Sequence, residues 1–208
     1  ANTGEIHFVK GKTNLIRSNK TIKISKESVP FKLKLNDIIK TENKSFVILK
    51  FKNDRSSKIL KLGSNSELKI DFEKNSIELG LNKGSTFIQF LKSKLRSNSS
   101  NSDKLFIKVK NVSMGVRGTQ FFITHANDKS NDVWMCVKEG IVEVKEKNGP
   151  KSTDVTEGKG ILIKKGDQIT SPRPYKWISK LDWNMQTKEN YEIPFHMLKY
   201  DLLDAEYD

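Results

Sequence analysis

Apolar residues and lysines alternate one by one along much of this chain, and no other feature constrains its fold as strongly. The pattern runs through Ile22-Lys23-Ile24, Phe31-Lys32-Leu33-Lys34-Leu35, Leu49-Lys50-Phe51-Lys52 and Leu60-Lys61-Leu62. It returns at Leu68-Lys69-Ile70-Asp71-Phe72 and Phe106-Ile107-Lys108-Val109-Lys110. A period of two sends the apolar set to one face of a pleated strand and the lysines to the other. Half-buried antiparallel strands read this way, and lysines along them oppose edge-to-edge pairing with other chains. Most of the positive charge is therefore expected in water, on outer sheet faces.

Turn signals separate these runs at short intervals: Gly63-Ser64-Asn65, Lys83-Gly84, Asn148-Gly149-Pro150 and Lys165-Gly166-Asp167 among them. One unit recurs, an apolar residue followed at the third position by glycine. It stands at Phe8-Val9-Lys10-Gly11, Leu81-Asn82-Lys83-Gly84, Val137-Lys138-Glu139-Gly140 and Val155-Thr156-Glu157-Gly158. Each reads as a turn in which glycine takes a positive φ or lets backbone pass closely. Many short strands at this spacing favour a sandwich, barrel or roll. The expected fold is all-β, an antiparallel two-sheet sandwich or β-roll over residues 1–172, with a short helical appendage behind it. The serine- and asparagine-rich stretch 96–103 is expected to be a surface loop. At 208 residues the chain can bury a core without disulfide or metal staples, and no apolar run is long enough for a transmembrane helix.

After Pro172 and Pro174 the composition changes. Residues 173–208 form an aromatic-rich tail that holds Tyr175, Trp177, Trp183, Tyr191, Phe195, Tyr200 and Tyr207 and ends in Asp201, Asp204, Glu206 and Asp208. Trp177, Ile178, Leu181 and Met185 have helical spacing, and a second turn could carry Leu198, Leu202 and Ala205. Either the tail packs back on the β body, or its aromatic residues dock a partner. Trp177 shares a helical stripe with Leu181 and Met185 and is expected to be buried. Trp183 falls off that stripe and is expected to be the more accessible, which makes Trp183 and Tyr191 the candidate partner contacts.

The net charge of +13 raises the question of a polyanion partner. Lysines number 33 against five arginines, Arg17, Arg55, Arg96, Arg117 and Arg173. Recognition of bases and phosphates favours the guanidinium fork, which is scarce here, so a solvated lysine surface is the leading reading and nucleic acid is disfavoured. Catalysis finds little support. The histidines His7, His125 and His196 lie far apart, and the chain lacks a Gly-x-Ser-x-Gly elbow, a His-Glu-x-x-His pair and a phosphate loop. The single cysteine, Cys136, follows Trp134 and Met135 on an apolar strand and reads as a packing residue. No catalytic residue, metal site or cofactor is expected, and the chain is not expected to be an enzyme.

Residues 112–121 read Val-Ser-Met-Gly-Val-Arg-Gly-Thr-Gln-Phe. Gly115, Arg117, Gly118 and Thr119 mark a tight backbone path with one long polar side chain beside it. Arg117 either closes a buried salt bridge with a carboxylate or offers an anion site. The decapeptide resembles the signature of the FecR-domain family, the family of the periplasmic ferric-citrate regulator. Further segments are similar in the same order, over about residues 4 to 174. They are Gly4-Glu5-Ile6 with Val9-Lys10-Gly11, Leu35 to Thr41, Leu62 to Leu68, Val137 to Val144 and Val155 to Gly166. Asn36 and Arg55 stand where the family usually has glycine; asparagine tolerates the left-handed region that such a turn requires.

The resemblance implies a standalone, exported, all-β, non-catalytic bacterial module that binds or scaffolds a protein or envelope polymer, with a place in envelope signalling. Its location would be periplasmic or secreted, and the start at Ala-Asn-Thr fits either removal of a signal peptide or artificial trimming of the chain. Lipid anchoring of the precursor and the oligomeric state stay open. Family regulators also carry a cytoplasmic sigma-regulating segment and a membrane helix, which these 208 residues do not contain. The iron-signalling circuit is therefore not implied. The alternative is a polyanion binder that uses lysine-rich strand faces on nucleic acid or anionic glycan.

Overall fold

A computed structural model describes residues 3–52, 56–72, 76–92, 104–116, 118–125, 131–147, 149, 152–164, 166 and 168–185. They form sixteen strands in one hydrogen-bonded network that doubles over into two layers. In chain order these are β1 (Thr3–Lys10), β2 (Thr13–Arg17), β3 (Lys20–Ile24), β4 (Phe31–Lys32), β5 (Ile38–Thr41), β6 (Phe46–Lys52), β7 (Ser56–Leu62) and β8 (Glu67–Phe72). They continue as β9 (Ser76–Lys92), β10 (Lys104–Val109), β11 (Val112–Val116), β12 (Gln120–His125), β13 (Val133–Glu139), β14 (Ile141–Glu146), β15 (Ser152–Thr156) and β16 (Gly160–Ile163).

Sheet I runs β4-β1-β6-β7-β9-β12-β13-β16, and sheet II runs β3-β2-β5-β8-β9-β10-β11-β14-β15. The 17-residue β9 belongs to both. Its first half pairs with β8 and β10 in sheet II, and its second half pairs with β7 and β12 in sheet I. The all-β two-layer expectation holds, with one departure from an antiparallel sandwich: β9 and β10 run parallel. The chain leaves β9 at the far end of sheet I and re-enters sheet II beside the start of β9, in the same direction. The expected surface loop 96–103 lies outside the described residues.

The period-two pattern does what its physics requires. Val47, Leu49 and Phe51 of β6, Leu68 and Ile70 of β8, Ile77, Leu79 and Leu81 of β9, and Leu105 and Ile107 of β10 meet in one core between the layers. Lys69, Lys104 and Lys145 stand exposed on the opposite face of their strands.

The recurrent apolar-x-x-Gly units fall where the chain changes layer. Gly11, Gly84, Gly140 and Gly158 have φ of 76°, 88°, 87° and 77°. Gly11 joins β1 to β2, Gly140 joins β13 to β14, and Gly158 leads from β15 into β16; Gly84 lies within β9. A positive φ there turns the backbone out of one pleated plane into the next at no steric cost to glycine. Lys83-Gly84 is thus a bend inside a strand and not the turn its sequence suggests.

Beside Gly84 the crossings of the N-terminal half are tied by hydroxyls. Ser45 Oγ accepts from Lys12 N at 2.8 Å, Ser64 Oγ accepts from Ser45 N at 3.1 Å, and Ser66 Oγ accepts from Ser85 N at 3.0 Å. Thr41 Oγ1 accepts from Ser66 N at 3.0 Å, and Ser85 Oγ meets Thr124 Oγ1 at 2.6 Å. Backbone groups at a corner lose their ladder partners, and short hydroxyl side chains replace them. The C-terminal half crosses at the other end of the strands, since Gln120 pairs with Gln89 while His125 pairs with Gly84.

Among the described residues no helix is long and apolar enough to cross a membrane.

Candidate functional site

Sheet I carries a second apolar face on its outside. In register across the strands, Lys61 of β7 lies beside Phe87 of β9, then Phe122 of β12, Cys136 of β13 and Gly160 of β16. Phe87, Phe122 and Cys136 form an aromatic-rich cluster with Trp134 and Leu162, and residues 173–185 lie on it as a strap that buries Trp177 and Leu181.

The strap is anchored from one side of the sheet to the other. Gly160 and Arg173 exchange backbone hydrogen bonds of 2.9 and 3.1 Å at the β16 edge. The Tyr175 ring sits edge-on to Trp134, with centroids 5.5 Å apart, and stacks on Trp177 at 5.6 Å. Gly160 leaves room for that ring, since a Cβ there would stand 3.2 Å from Tyr175 and 2.7 Å from Met135 O. Trp177 in turn meets Trp134 edge-on at 6.0 Å. Farther along, the Trp183 ring is edge-on to Phe87 at 5.4 Å, and its Nε1 donates to Ile178 O at 3.4 Å. Such edge-to-face pairs each add about 0.5–1.5 kcal/mol beyond the area they bury.

Within residues 173–185 the helical part is Lys176–Lys180, a single 3-10 turn, and Leu181 beyond it is extended at φ −68°, ψ 138°. The helix expected from Trp177, Ile178, Leu181 and Met185 is therefore replaced by a turn and an extended run. Strands stand about 4.8 Å apart, and an extended chain crosses several of them with few residues. The second helical turn, Leu198 to Ala205, lies outside the described residues.

Trp177 is 1% exposed and Trp183 is half-buried, so Trp183 is the more accessible ring. Lys138 Nζ stands 5.6 Å from its centroid. Leu91, 45% exposed, projects from the same outer face. Tyr191 lies outside the described residues.

The glycine-bounded motif meets this strap. Gly118, with φ 66°, turns the chain from β11 to β12. Thr119 is buried beside Gly140, and its carbonyl accepts Phe90 N at 2.8 Å. The next residue, Gln120, points outward and donates from Nε2 to Trp183 O at 3.1 Å. Gly118, Thr119 and Trp183 thus belong to one locality, linked by a residue that sequence reasoning passed over. Gly115 is elsewhere, on the outer face of sheet II, where a Cβ would stand 3.5 Å from the Phe106 ring. Arg117 lies outside the described residues.

A buried carboxylate–guanidinium pair of the kind suggested for Arg117 is made by Arg17. Its Nε and Nη2 donate to Asp37 Oδ1 and Oδ2 at 2.8 and 2.7 Å. The Asp37 side chain has no exposed surface.

Two lysines depart from the expectation that lysines lie in water. Lys58 and Lys61 are each 1% exposed. Lys58 faces inward, its ammonium 4.7 Å from the Phe90 ring and 2.6 Å from Ser56 Oγ. Lys61 faces outward, as alternation requires, but lies at the strap, with Nζ 3.5 Å from Asn184 O and 5.0 Å from the Phe46 centroid. Burial pushes its pKa down to about 8 against a partial opposing pull from Asp182.

On the outer face of sheet II the lysines are interleaved with acids. Lys108 pairs with Glu78 at 2.6 Å and Lys40 with Glu67 at 2.9 Å. No group of three or more His, Cys, Asp or Glu able to hold a metal ion occurs among the described residues.

The FecR protein family model matches residues 37–158, more than half of the chain. Two solved structures of a candidate anti-sigma factor from Parabacteroides distasonis ATCC 8503 are similar at 11% identity, with TM-scores of 0.50 and 0.49. Each similarity covers 68% of this chain and 62% of the other, so the chain spans less than two thirds of their length. At that identity the first of them speaks for the fold alone. No curated protein matches the chain.

Proposed function

We propose, because the chain belongs to the FecR protein family, that it is an exported, non-catalytic module that binds a protein partner in bacterial envelope signalling. The candidate anti-sigma factor whose solved structure shares its fold supports a regulatory role over a chemical one. Membership of the family supports a periplasmic or secreted location, which belongs to the same reading.

The observation that carries the binding role is the Trp183 locality. A half-buried indole is held by Phe87, Gln120 and its own hydrogen bond to Ile178, with Lys138 over the ring and exposed Leu91 on the same face. A tryptophan seated against a sheet, with a cation and an aliphatic neighbour, is the composition of an interface hot spot. A photocrosslinking residue at Leu91 in intact bacterial envelopes is expected to give a protein adduct that is lost when Trp183→Ala is added. The same residue at Ile141, 51% exposed on sheet II, is expected to give none. Adducts at neither position, or equally at both, would refute this assignment.

Polyanion binding fits the surface less well, since carboxylates neutralise lysines on sheet II. Duplex DNA is expected to bind weakly, without sequence preference, and to be released by about 0.15 M salt. Sequence-selective binding that persists at that salt in a filter-binding titration would reverse the order of the two readings.

A further inference from the structure

We propose that residues 173–185 are a releasable latch over sheet I, opening and closing while the β body stays folded, and that Lys61 beneath it sets how often it opens.

The strap is held differently from the strands it covers. Its polar ties to the sheet include the Gly160–Arg173 exchange at its root and, farther along, single side chains on carbonyls, Gln120 to Trp183 O and Lys61 to Asn184 O. Its affinity draws on the rings of Tyr175, Trp177 and Trp183, which meet Trp134 and Phe87 edge-on. Two features of the closed state oppose that affinity. The Lys61 ammonium has been taken out of water, and Trp177 Nε1 is buried with no hydrogen-bond partner among the described residues. Opening returns both to solvent, so the desolvation cost is relieved by opening the latch rather than by unfolding the protein. The β body would lose nothing from its inner core, because the aromatic cluster is separate from the core between the layers.

The charge dependence has a definite sign. Closure depresses the Lys61 pKa from its ordinary 10.5 to about 8. The closed latch therefore binds the proton more weakly than the open one. The cost of closing is felt in full below pH 8, shrinks as pH rises from about 8 to 10.5, and is gone above that. The groups around Lys61 fit this account. The strap supplies Asp182, which favours the ammonium, and the Asn184 carbonyl. Strand β9 presents uncharged Phe87 and Gln89, while β6 presents Phe46, Ile48 and, one step along, Lys50, bonded to His7 at 2.9 Å.

The chain carries its own reporter. Cys136 is the single cysteine, fully buried in the roofed cluster next to Gly160 and Tyr175. Labelling of the whole chain with an aromatic disulfide reagent under native conditions is expected to run much faster than global unfolding and to depend little on dilute urea. Trp177→Ala should label at least about tenfold faster, since a large buried ring is lost. Lys61→Met should label about tenfold or more slowly than the unsubstituted chain at pH 7, and the two rates should converge by about pH 10.5, since each unit of pKa shift is a factor of ten in the opening equilibrium. Asp182→Asn should label faster at pH 7 and not at pH 10.5, which gives a second reading should Lys61→Met fold poorly. Labelling that tracks global unfolding would overturn the latch. Equal rates for Lys61→Met and the unsubstituted chain at pH 7 would overturn the role of Lys61.

Discussion

Replacing Arg17 with alanine is expected to cost about 3–5 kcal/mol of stability, because it leaves a buried carboxylate without its partner. Asp37 has no exposed surface and makes two charge-assisted bonds to the guanidinium, while Oδ2 also accepts Lys34 N at 2.7 Å. The backbone around it pairs with β8, Asn36 N to Ile70 O and Ile70 N to Asp37 O, both at 2.9 Å. Arg17 further donates to Lys32 O at 2.9 Å and covers the Phe31 ring. One side chain thereby ties β2 to the segment from Phe31 to Asp37. Arg17→Lys should recover only part of the loss, since an ammonium cannot span both oxygens in the plane. Urea unfolding of Arg17→Ala, Asp37→Ala and the double variant checks this. A loss below about 1 kcal/mol, the scale of a surface pair, would show that the site is hydrated in solution.

Gly84→Ala is expected to be comparably damaging, at about 3–5 kcal/mol, by adding a strained positive φ to an overpacked corner. A Cβ at Gly84 would overlap Ser66 Oγ and come within 2.5 Å of Ser66 Cα. The obstruction is partly backbone and cannot swing away, and Ser66 Oγ would be driven from Ser85 N. Gly158 separates the two contributions. Its φ of 77° is similar, but a Cβ there meets nothing within 4 Å among the described residues. Gly158→Ala should therefore cost only the conformational part, about 1–2 kcal/mol. Equal losses for the two variants in thermal unfolding would show that Ser66 yields and that φ alone decides.

The contrast shows what local sequence can and cannot convey. The glycine units could be read as positive-φ positions because chirality acts within a residue, and Asn36, at φ 64°, was legible for the same reason. That four of them mark changes of layer was not legible, since it depends on which strands pair. Nor was the union of the runs on either side of Gly84 into one 17-residue strand. Arg17 and Asp37 lie twenty residues apart, with no shared periodicity to mark them as partners.

Lys61 was assigned correctly to the outer face and wrongly to water. Alternation reports the side of a strand but is silent about what is laid over that side. The strap itself was anticipated from composition, and burial of Trp177 followed from its apolar company. Its backbone was not, because helical spacing and an extended crossing of parallel-lying strands can present the same side chains. Gln120 escaped notice because a lone glutamine carries no signal until Trp183 O is placed above it.

The sharing of β9 between layers has a kinetic consequence. Neither sheet can close its ladder until the same 17-residue segment is in place, and most of its partners are distant in sequence, from Ser56–Leu62 on one side to Gln120–His125 on the other. Loop closure must be completed at length before those pairings reward it, so folding should be slow for a chain of this size. A nucleus should contain the Gly84 bend together with β7 and β12, and substitutions there should retard refolding while those at the β3 and β15 edges chiefly hasten unfolding. The two layers would then rise and fall as one unit, with no half-folded species in which a single sheet stands alone.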